Sequence, residues 1–401
     1  MIPAAVELSQ APDTKDDARR FVDAIDLSVH GSVGSLRAEW ETIERHSAIS
    51  VYQRYQWIGT YLDSIDHCDR RQPYIVVGRL QGEMVFILPM VIHGGLVKRL
   101  KFIGGSHVNF NIGIIAPQYA DVLTERCFEQ IYRRLQGMLP GVGYIALNCQ
   151  PETWLGRRNP VITQARQRSG NPAFVLDLTG GFEATLSRGN GKRKRKKFRS
   201  QKRMAEEEGG YEFCIPTTLP AINEAIDRFF EQKSKRLREM GIRDVFAEKE
   251  TKTFLKTLAR KSLYLEEPLL QLFALKVGGE IVAVFGGGYQ NGRFSGYFSS
   301  IAGGKWEPLS PGEMLLYLVV EHLCGQGCKQ LDLGAGEERY KQSWSSERIE
   351  IYETLIPFST AAMPIIWMRR LYGRFRRMVR ENPRAWAFYK RLRRMKGQAG
   401  L

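Results

Sequence analysis

The chain predicts an α/β protein whose mixed, mostly antiparallel sheets are flanked by helices and occur in tandem. Three observations carry this. The stretch from Leu272 to Trp344 sets apolar runs between Gly-Gly and Asn-Gly turns (LFALKVGGEIVAVFGGGYQNGRFSGYFSSI), and continues as an amphipathic helix, a short strand and a second helix start. Residues 24–178 give a similar order: strand, two helices, strand pair, strand, helix, strand, strand. At 401 residues the chain is too long for one ordinary core.

Taken in order, residues 1–23 lack the basic and apolar regions of a signal peptide and are expected to be a disordered leader. AIDLSVHGS reads as a first strand because apolar residues alternate. SLRAEWETIERHS and RYQWIGTYLDSI carry apolar residues at helical spacing. PYIVVGRLQGEMVFILPMVIHG is a strand pair about Gln-Gly. LKFIGG and NIGIIAP are strand pieces, TERCFEQIYRRLQGML is an amphipathic helix and GYIALNC is a buried strand. PAFVLDL is expected to close an N-terminal domain at 24–179, a degenerate copy of the second half. Residues 180–210 form a basic helical connector with few apolar anchors. The second domain, 211–360, opens with YEFCIP and two helices, and IYETLIPF is expected as its last strand. Residues 361–401 form a basic amphipathic tail broken at Pro383.

The net charge of +16 is local. Residues 188–203 hold ten Lys or Arg and no acid, and residues 364–401 hold twelve and one acid, so the rest of the chain is about −5. That is an acidic, enzyme-like body with two basic devices, unlike a histone-like binder. In the tail, Trp367, Leu371, Phe375 and Val379 recur every four residues with Arg between them. Such a helix either lies on an anionic membrane or packs on the body with its arginines in solvent. Lys192–Lys197 suits phosphates of a cofactor, lipid or nucleic acid, or a solvated helix face. No apolar run approaches the roughly 20 residues of a membrane span. Six scattered cysteines suit a reducing cytoplasm. Cys324 and Cys328, with His322 nearby, read as core residues because no second ligand pair is near in sequence, and no metal is expected.

Three groups of residues bear on chemistry. Ser310-Pro311-Gly312 before Glu313 is a helix start with Ser as N-cap and Pro at the first helical position. Its N–H groups, at Gly312 and Glu313, suit phosphate oxygens. Asp332-Leu-Gly334-Ala-Gly336 mimics the opening of a nucleotide-binding fold. Glu338 stands where a third glycine belongs, however, and only about 60 residues follow, so the glycines are read as a turn. Glu337, Arg339, Tyr340, Lys341 and Trp344 come next. A phenol or ammonium here suits a leaving thiolate or an oxyanion, against the plainer reading of a surface lysine beside buried aromatics. There is no G-x-S-x-G, H-E-x-x-H or P-loop pattern, so hydrolase, zinc protease and NTPase readings have no support.

On GYFSSI, PLSPGEMLLYLVVEHLCGQGCKQLDLGAGEERYKQSW, and, in the first half, Trp40, Leu88-Pro89 and Phe102-Ile103-Gly104, residues 25–357 resemble GNAT-superfamily acetyltransferases of the CelD/BcsL (BioF-like) type, relatives of the Fem-like tandem GNAT transferases. The resemblance implies tandem GNAT (acyl-CoA N-acyltransferase) folds, acetyl-CoA or another acyl-CoA as co-substrate, and an amine acceptor of exopolysaccharide, cellulose or cell-envelope biosynthesis. It implies Ser310, Gly312 and Glu313 at the pyrophosphate, with Tyr297 lining the thioester slot. It further implies Lys341 and Tyr340 at the reacting groups and Asp332 as base or orienter of the amine. The Ser-Pro-Gly start departs from the usual GNAT Gln/Arg-x-x-Gly-x-Gly/Ala loop. Two other expectations stand beside it: a Fem-like transferase using aminoacyl-tRNA, and a catalytically silent GNAT module docked to a membrane synthase. The expected location is cytoplasmic, free or peripheral at the inner face of a membrane.

Overall fold

The structure, a computed structural model, describes residues 12, 14–66, 73–242, 244–336 and 338–398. The chain forms two compact units, one from residues up to Gly170 with Glu350–Arg377, the other from Asn171–Ile349 with Met378 onward.

In the first unit the main sheet runs Asp26–His30, Pro73–Leu80, Glu83–His93, Lys98–Phe102, Val142–Pro151, Ile351–Pro357, Arg166–Arg168. Neighbours are antiparallel except Lys98–Phe102 with Val142–Pro151, which are parallel because the helix Glu125–Met138 returns the chain between them. Trp40, Trp57, Phe86, Phe110 and Phe128 are among its fully buried side chains.

The second unit comprises β1 (Ala173–Asp177), α1 (Gly181–Ser187), α2 (Gly191–Glu207), β2 (Tyr211–Cys214), α3 (Leu219–Glu239), α4 (Lys249–Ser262), β3 (Gln271–Val277), β4 (Glu280–Gln290), β5 (Arg293–Ile301), α5 (Pro311–Gly325), β6 (Gln330–Ala335), α6 (Arg339–Trp344) and β7 (Glu347–Ile349). Its sheet order is β2-β3-β4-β5-β6-β1-β7. Only β5 and β6 are parallel, and α5 links them. The two sheets thus follow one seven-place plan. α5 is apolar nearly all round and seats Met314, Val319, Val320 and Leu323 on Phe273, Leu275, Phe294, Leu331 and Leu333.

Three boundaries differ from those expected. PAFVLDL does not close the 24–179 half: as β1 it lies between β6 and β7 in the second sheet. IYETLIPF, expected within 211–360, pairs in the first sheet with Val142–Pro151 and Arg166–Arg168. Alternation marks a strand but does not say which partner it pairs with. The 180–210 connector is part of the second unit. There α2 buries Ala205 and stacks Phe198 on Tyr317 at 4.2 Å between centroids, and that ring supplies an anchor the sparse apolar pattern hid.

The later part of the expected disordered leader is ordered. Thr14 and Asp17 form a capping box, and Lys15–Asp23 is a helix burying Ala18, Phe21 and Val22. The rest of that leader, apart from residues 12 and 14, lies outside the described residues, as do Glu337 and Cys68.

In the tail helix Met363–Glu381 three arginines turn to the body instead of to solvent, while Arg374 and Arg376 are exposed. Arg369 pairs with Glu353, and Arg370 and Arg377 donate to backbone carbonyls of Ala165, Leu355 and Arg168. Ile366 joins the core cluster of Tyr144, Ala146 and Leu355.

Candidate active site

β5 and β6 pair only at Arg293↔Gln330, Phe294↔Leu331 and Ser295↔Asp332. Both strands continue, β5 to Ile301 and β6 to Ala335, so the parallel pair parts beyond Ser295 and Asp332. β5 stays paired with β4 throughout, but the ladder steps from Gly286↔Phe298 to Gly287↔Gly296. Tyr297 is therefore the extra residue of a β-bulge, a device that bends a strand and re-aims its groups. The glycines here make room: a Cβ on Gly287 would stand 2.4 Å from the Phe294 ring, and one on Gly296 would stand 2.8 Å from the Asp332 carbonyl.

Asp332 sits where the strands part. Leu331 and Leu333 face the core under α5, so by strand alternation Asp332 faces the opposite side. It is fully buried. Its Oδ1 accepts the Gly334 N–H at 2.7 Å, and its Oδ2 has no hydrogen-bond partner among the described residues. Burial pushes its carboxyl up to about 6, against the opposing pull of Arg293, the Gly334 N–H and Lys341. Arg293, also buried, donates to Gln330 Oε1 at 3.1 Å.

Beyond the parting, α6 supplies two of the expected residues. Lys341 is buried, its Nζ donating to the Ala335 carbonyl at 2.8 Å and pairing with Glu338 at 3.1 Å. A solvated surface lysine is thus excluded. The Tyr340 phenol hydrogen-bonds Ser299, and its pKa is raised by burial and by Glu338. It therefore keeps its proton at neutral pH. Trp344 packs on Tyr317, and Lys194 of α2 lies over its ring at 4.7 Å.

α3 adds a residue that sequence reasoning missed. Lys233 Nζ donates to the Ser299 carbonyl at 3.0 Å. Burial lowers its pKa, reinforced by Arg236 and Lys341 and opposed by Glu338 and Asp244. It stands in the run Lys233-Ser-Lys-Arg236, which on spacing alone is an ordinary charged helix face.

The far end of β5 meets the helix start. A Cβ on Gly312 would lie 2.8 Å from Ile301, so glycine lets α5 begin against the end of this strand. Ser310 is not the simple N-cap expected: it is left-handed (φ 53°) and makes no side-chain capping bond. Its carbonyl accepts from the Glu313 N–H at 3.0 Å and from Gln201 Nε2 at 3.1 Å, while Gln201 also donates to the Leu309 carbonyl at 2.8 Å. The Glu313 N–H is thus engaged, which leaves Gly312 as the orphan donor of the expected pair. The Glu313 carboxylate pairs with Lys197 of α2 at 2.5 Å.

The structure therefore gathers Tyr297, Asp332, Tyr340 and Lys341 around the parting and sets Ser310, Gly312 and Glu313 at the other end of β5. From Tyr297 to Ile301 the strand rises roughly 13 Å. One end offers backbone groups, a phenol and cations; the other offers a helix start beside a basic helix. An extended acyl-thioester with an anionic head fits that distribution of chemistry.

The corresponding place in the first unit is filled by its own chain. Lys98–Phe102 and Val142–Pro151 pair through Leu100↔Ile145, and beyond this the Asn111 N–H donates to the Cys149 carbonyl at 2.7 Å. Asn111 Nδ2 reaches the Asn148 carbonyl at 3.1 Å, and Phe110 is fully buried.

The family described as "Acetyltransferase (GNAT) domain" matches residues 192–342, so a GNAT domain occupies the part of the chain that holds this site. FemX has a similar solved structure, with a TM-score of 0.58 at 8% identity, covering 85% of this chain and 100% of that one. L-PGS from Bacillus licheniformis gives a TM-score of 0.47 at 12% identity, over 83% and 96% of the two chains. A tandem GNAT protein from the clavulanic acid biosynthesis pathway gives 0.41 at 9% identity, over 84% and 99%. No curated protein matches the chain. The fold class is mixed α/β, with mostly antiparallel sheets flanked by helices.

Proposed function

We propose that the chain is an N-acyltransferase that moves an acyl group from acyl-CoA to an amine at the parting of β5 and β6. The observation that carries this is the bulged strand running from the parting at Asp332 to the helix start at Gly312, inside the matched GNAT domain. The backbone around Tyr297 lies along the thioester. The acceptor's neutral amine attacks the carbonyl carbon; the C–N bond forms and the C–S bond breaks without a covalent enzyme intermediate. Lys341 and backbone N–H groups of β5 stabilise the oxyanion. The Tyr340 phenol gives its proton to the departing thiolate, and Asp332, directly or through water, takes the proton lost by the amine. The Gly312 N–H and the cations of α2 hold the phosphates. An amine-bearing sugar or envelope precursor as acceptor rests on the sequence resemblance alone.

The filled counterpart in the first unit supports one donor site per chain. The test is calorimetric titration of the full chain with acetyl-CoA, longer acyl-CoAs and free CoA. Saturation at one per chain is expected, and absence of binding by all three sinks the proposal. The charge of α2, whose Lys192, Arg193 and Lys196 are exposed while Lys194 and Lys197 have partners, favours a second reading with aminoacyl-tRNA as donor. Salt-sensitive tRNA binding that disappears when residues 192–197 are neutralised, together with indifference to acyl-CoA, would replace the first reading with this one.

A further inference from the structure

The helix Met363–Glu381 exposes an apolar face that a water-facing helix would not. Trp367, Met368, Leu371, Tyr372, Phe375 and Met378 are each more than half exposed. At about 100° per residue they cover roughly half of the helix circumference. The other side is committed to the body through Ile366, Arg369, Arg370 and Arg377. The same spacing sets Arg374 at one edge of the apolar arc and Arg376 at the other, both exposed. Six large side chains side by side, three of them aromatic, and two cationic edges make one contiguous surface.

From this we infer that the outward face of Met363–Glu381 docks flat on an anionic phospholipid bilayer, with Trp367, Leu371 and Phe375 entering the acyl boundary and Arg374 and Arg376 meeting the headgroup phosphates. Charge decides the occupant. Residues 364–401 carry twelve Lys or Arg against one acid, Glu381. Apposing this face to its own copy would set basic edge on basic edge, whereas anionic lipid neutralises both edges. Tryptophan, tyrosine and phenylalanine suit the depth at which such a helix rests. Among the described residues no helix is long and apolar enough to cross a membrane, so docking is in the plane of the surface. The acceptor's chemistry plays no part here, and the docking stands or falls independently of acyl transfer.

The experiment is flotation of the full-length protein with vesicles of phosphatidylcholine alone and of phosphatidylcholine with about one third phosphatidylglycerol. Flotation with the anionic vesicles is expected. The double substitution Leu371→Gln with Phe375→Gln should lower the partition coefficient at least tenfold. Arg374→Gln and Arg376→Gln should each lower it about fivefold and only on anionic vesicles. All four positions are exposed, and an unchanged melting curve shows that each variant folds. Failure to float with either vesicle overturns the inference. So does a wild-type dimer that the Leu371/Phe375 variant converts to monomer, since a second copy would then be the occupant.

Discussion

Replacing Asp332 by asparagine should stabilise this protein at neutral pH while impairing it as an enzyme. The carboxyl is fully buried and titrates at about 6 in the fold, against an ordinary value of 3.8. The native state therefore holds the proton more tightly than the unfolded chain. Its contribution to stability is complete below about pH 4 and is lost as pH rises through about 6. At 1.36 kcal/mol per pH unit, the ionised carboxyl costs up to about 3 kcal/mol at pH 7. In the Asp332→Asn variant the side-chain amide oxygen would keep the bond from the Gly334 N–H, and the amide carries no charge to desolvate. The expected result is a melting temperature up to ~10 °C higher than wild type at pH 7, shrinking to no difference at pH 4. The assay is calorimetry or circular dichroism melting of both proteins from pH 4 to 7.5. A variant less stable than wild type at pH 7 would show the opposite, that Arg293 and Lys341 hold an ionised carboxylate more strongly than burial opposes it.

Lys341→Met should cut acyl transfer by about 100-fold or more, in a protein whose acyl-CoA affinity changes little. Full turnover would reduce Lys341 to a tie between α6 and the Ala335 carbonyl. Gln201→Leu removes the donor to the Leu309 and Ser310 carbonyls; a loss of about 1–3 kcal/mol in stability is expected, with weaker acyl-CoA binding from a loosened helix start. Denaturant melts and calorimetry check it, and unchanged acyl-CoA affinity would count against the helix start as a phosphate site. Asn111→Leu, in the first unit, should cost about 1–3 kcal/mol through its lost side-chain bond and leave acyl-CoA stoichiometry at one. A second equivalent of bound acyl-CoA would show that the segment plugs a working site.

The order of strands and helices was legible because apolar periodicity and Gly-rich turns are local signals. The two strands that join sheets other than the expected ones were not. Ala173–Asp177 and Ile351–Pro357 look like any half-buried strands, and their partners lie more than a hundred residues away. Six of the seven residues expected at the site rest on a helix start, a strand end and an aromatic-lysine step, and Tyr297 rests on the resemblance. The parting of β5 from β6 could not, since it depends on where pairing stops. Lys233 was hidden in a charged helix face, and Gln201 in a run of lysines and arginines. Ser310 misled in a specific way: serine before proline predicts a side-chain cap, but here the carbonyl takes the bonds and the backbone is left-handed. In the tail, the arginine spacing suggested solvent, and Glu353 with the backbone carbonyls turned Arg369 and Arg370 inward.

On the proposed function, one donor thioester per chain lies along β5, from the bulge at Tyr297 to the helix start at Gly312. Amide hydrogen exchange of the full chain with and without saturating acetyl-CoA measures this most directly. Added protection is expected at Tyr297–Ile301 and at Gly312, with none added at Phe110–Asn111 or along Val142–Pro151. Protection confined to the first unit, or none anywhere at saturation, would contradict it.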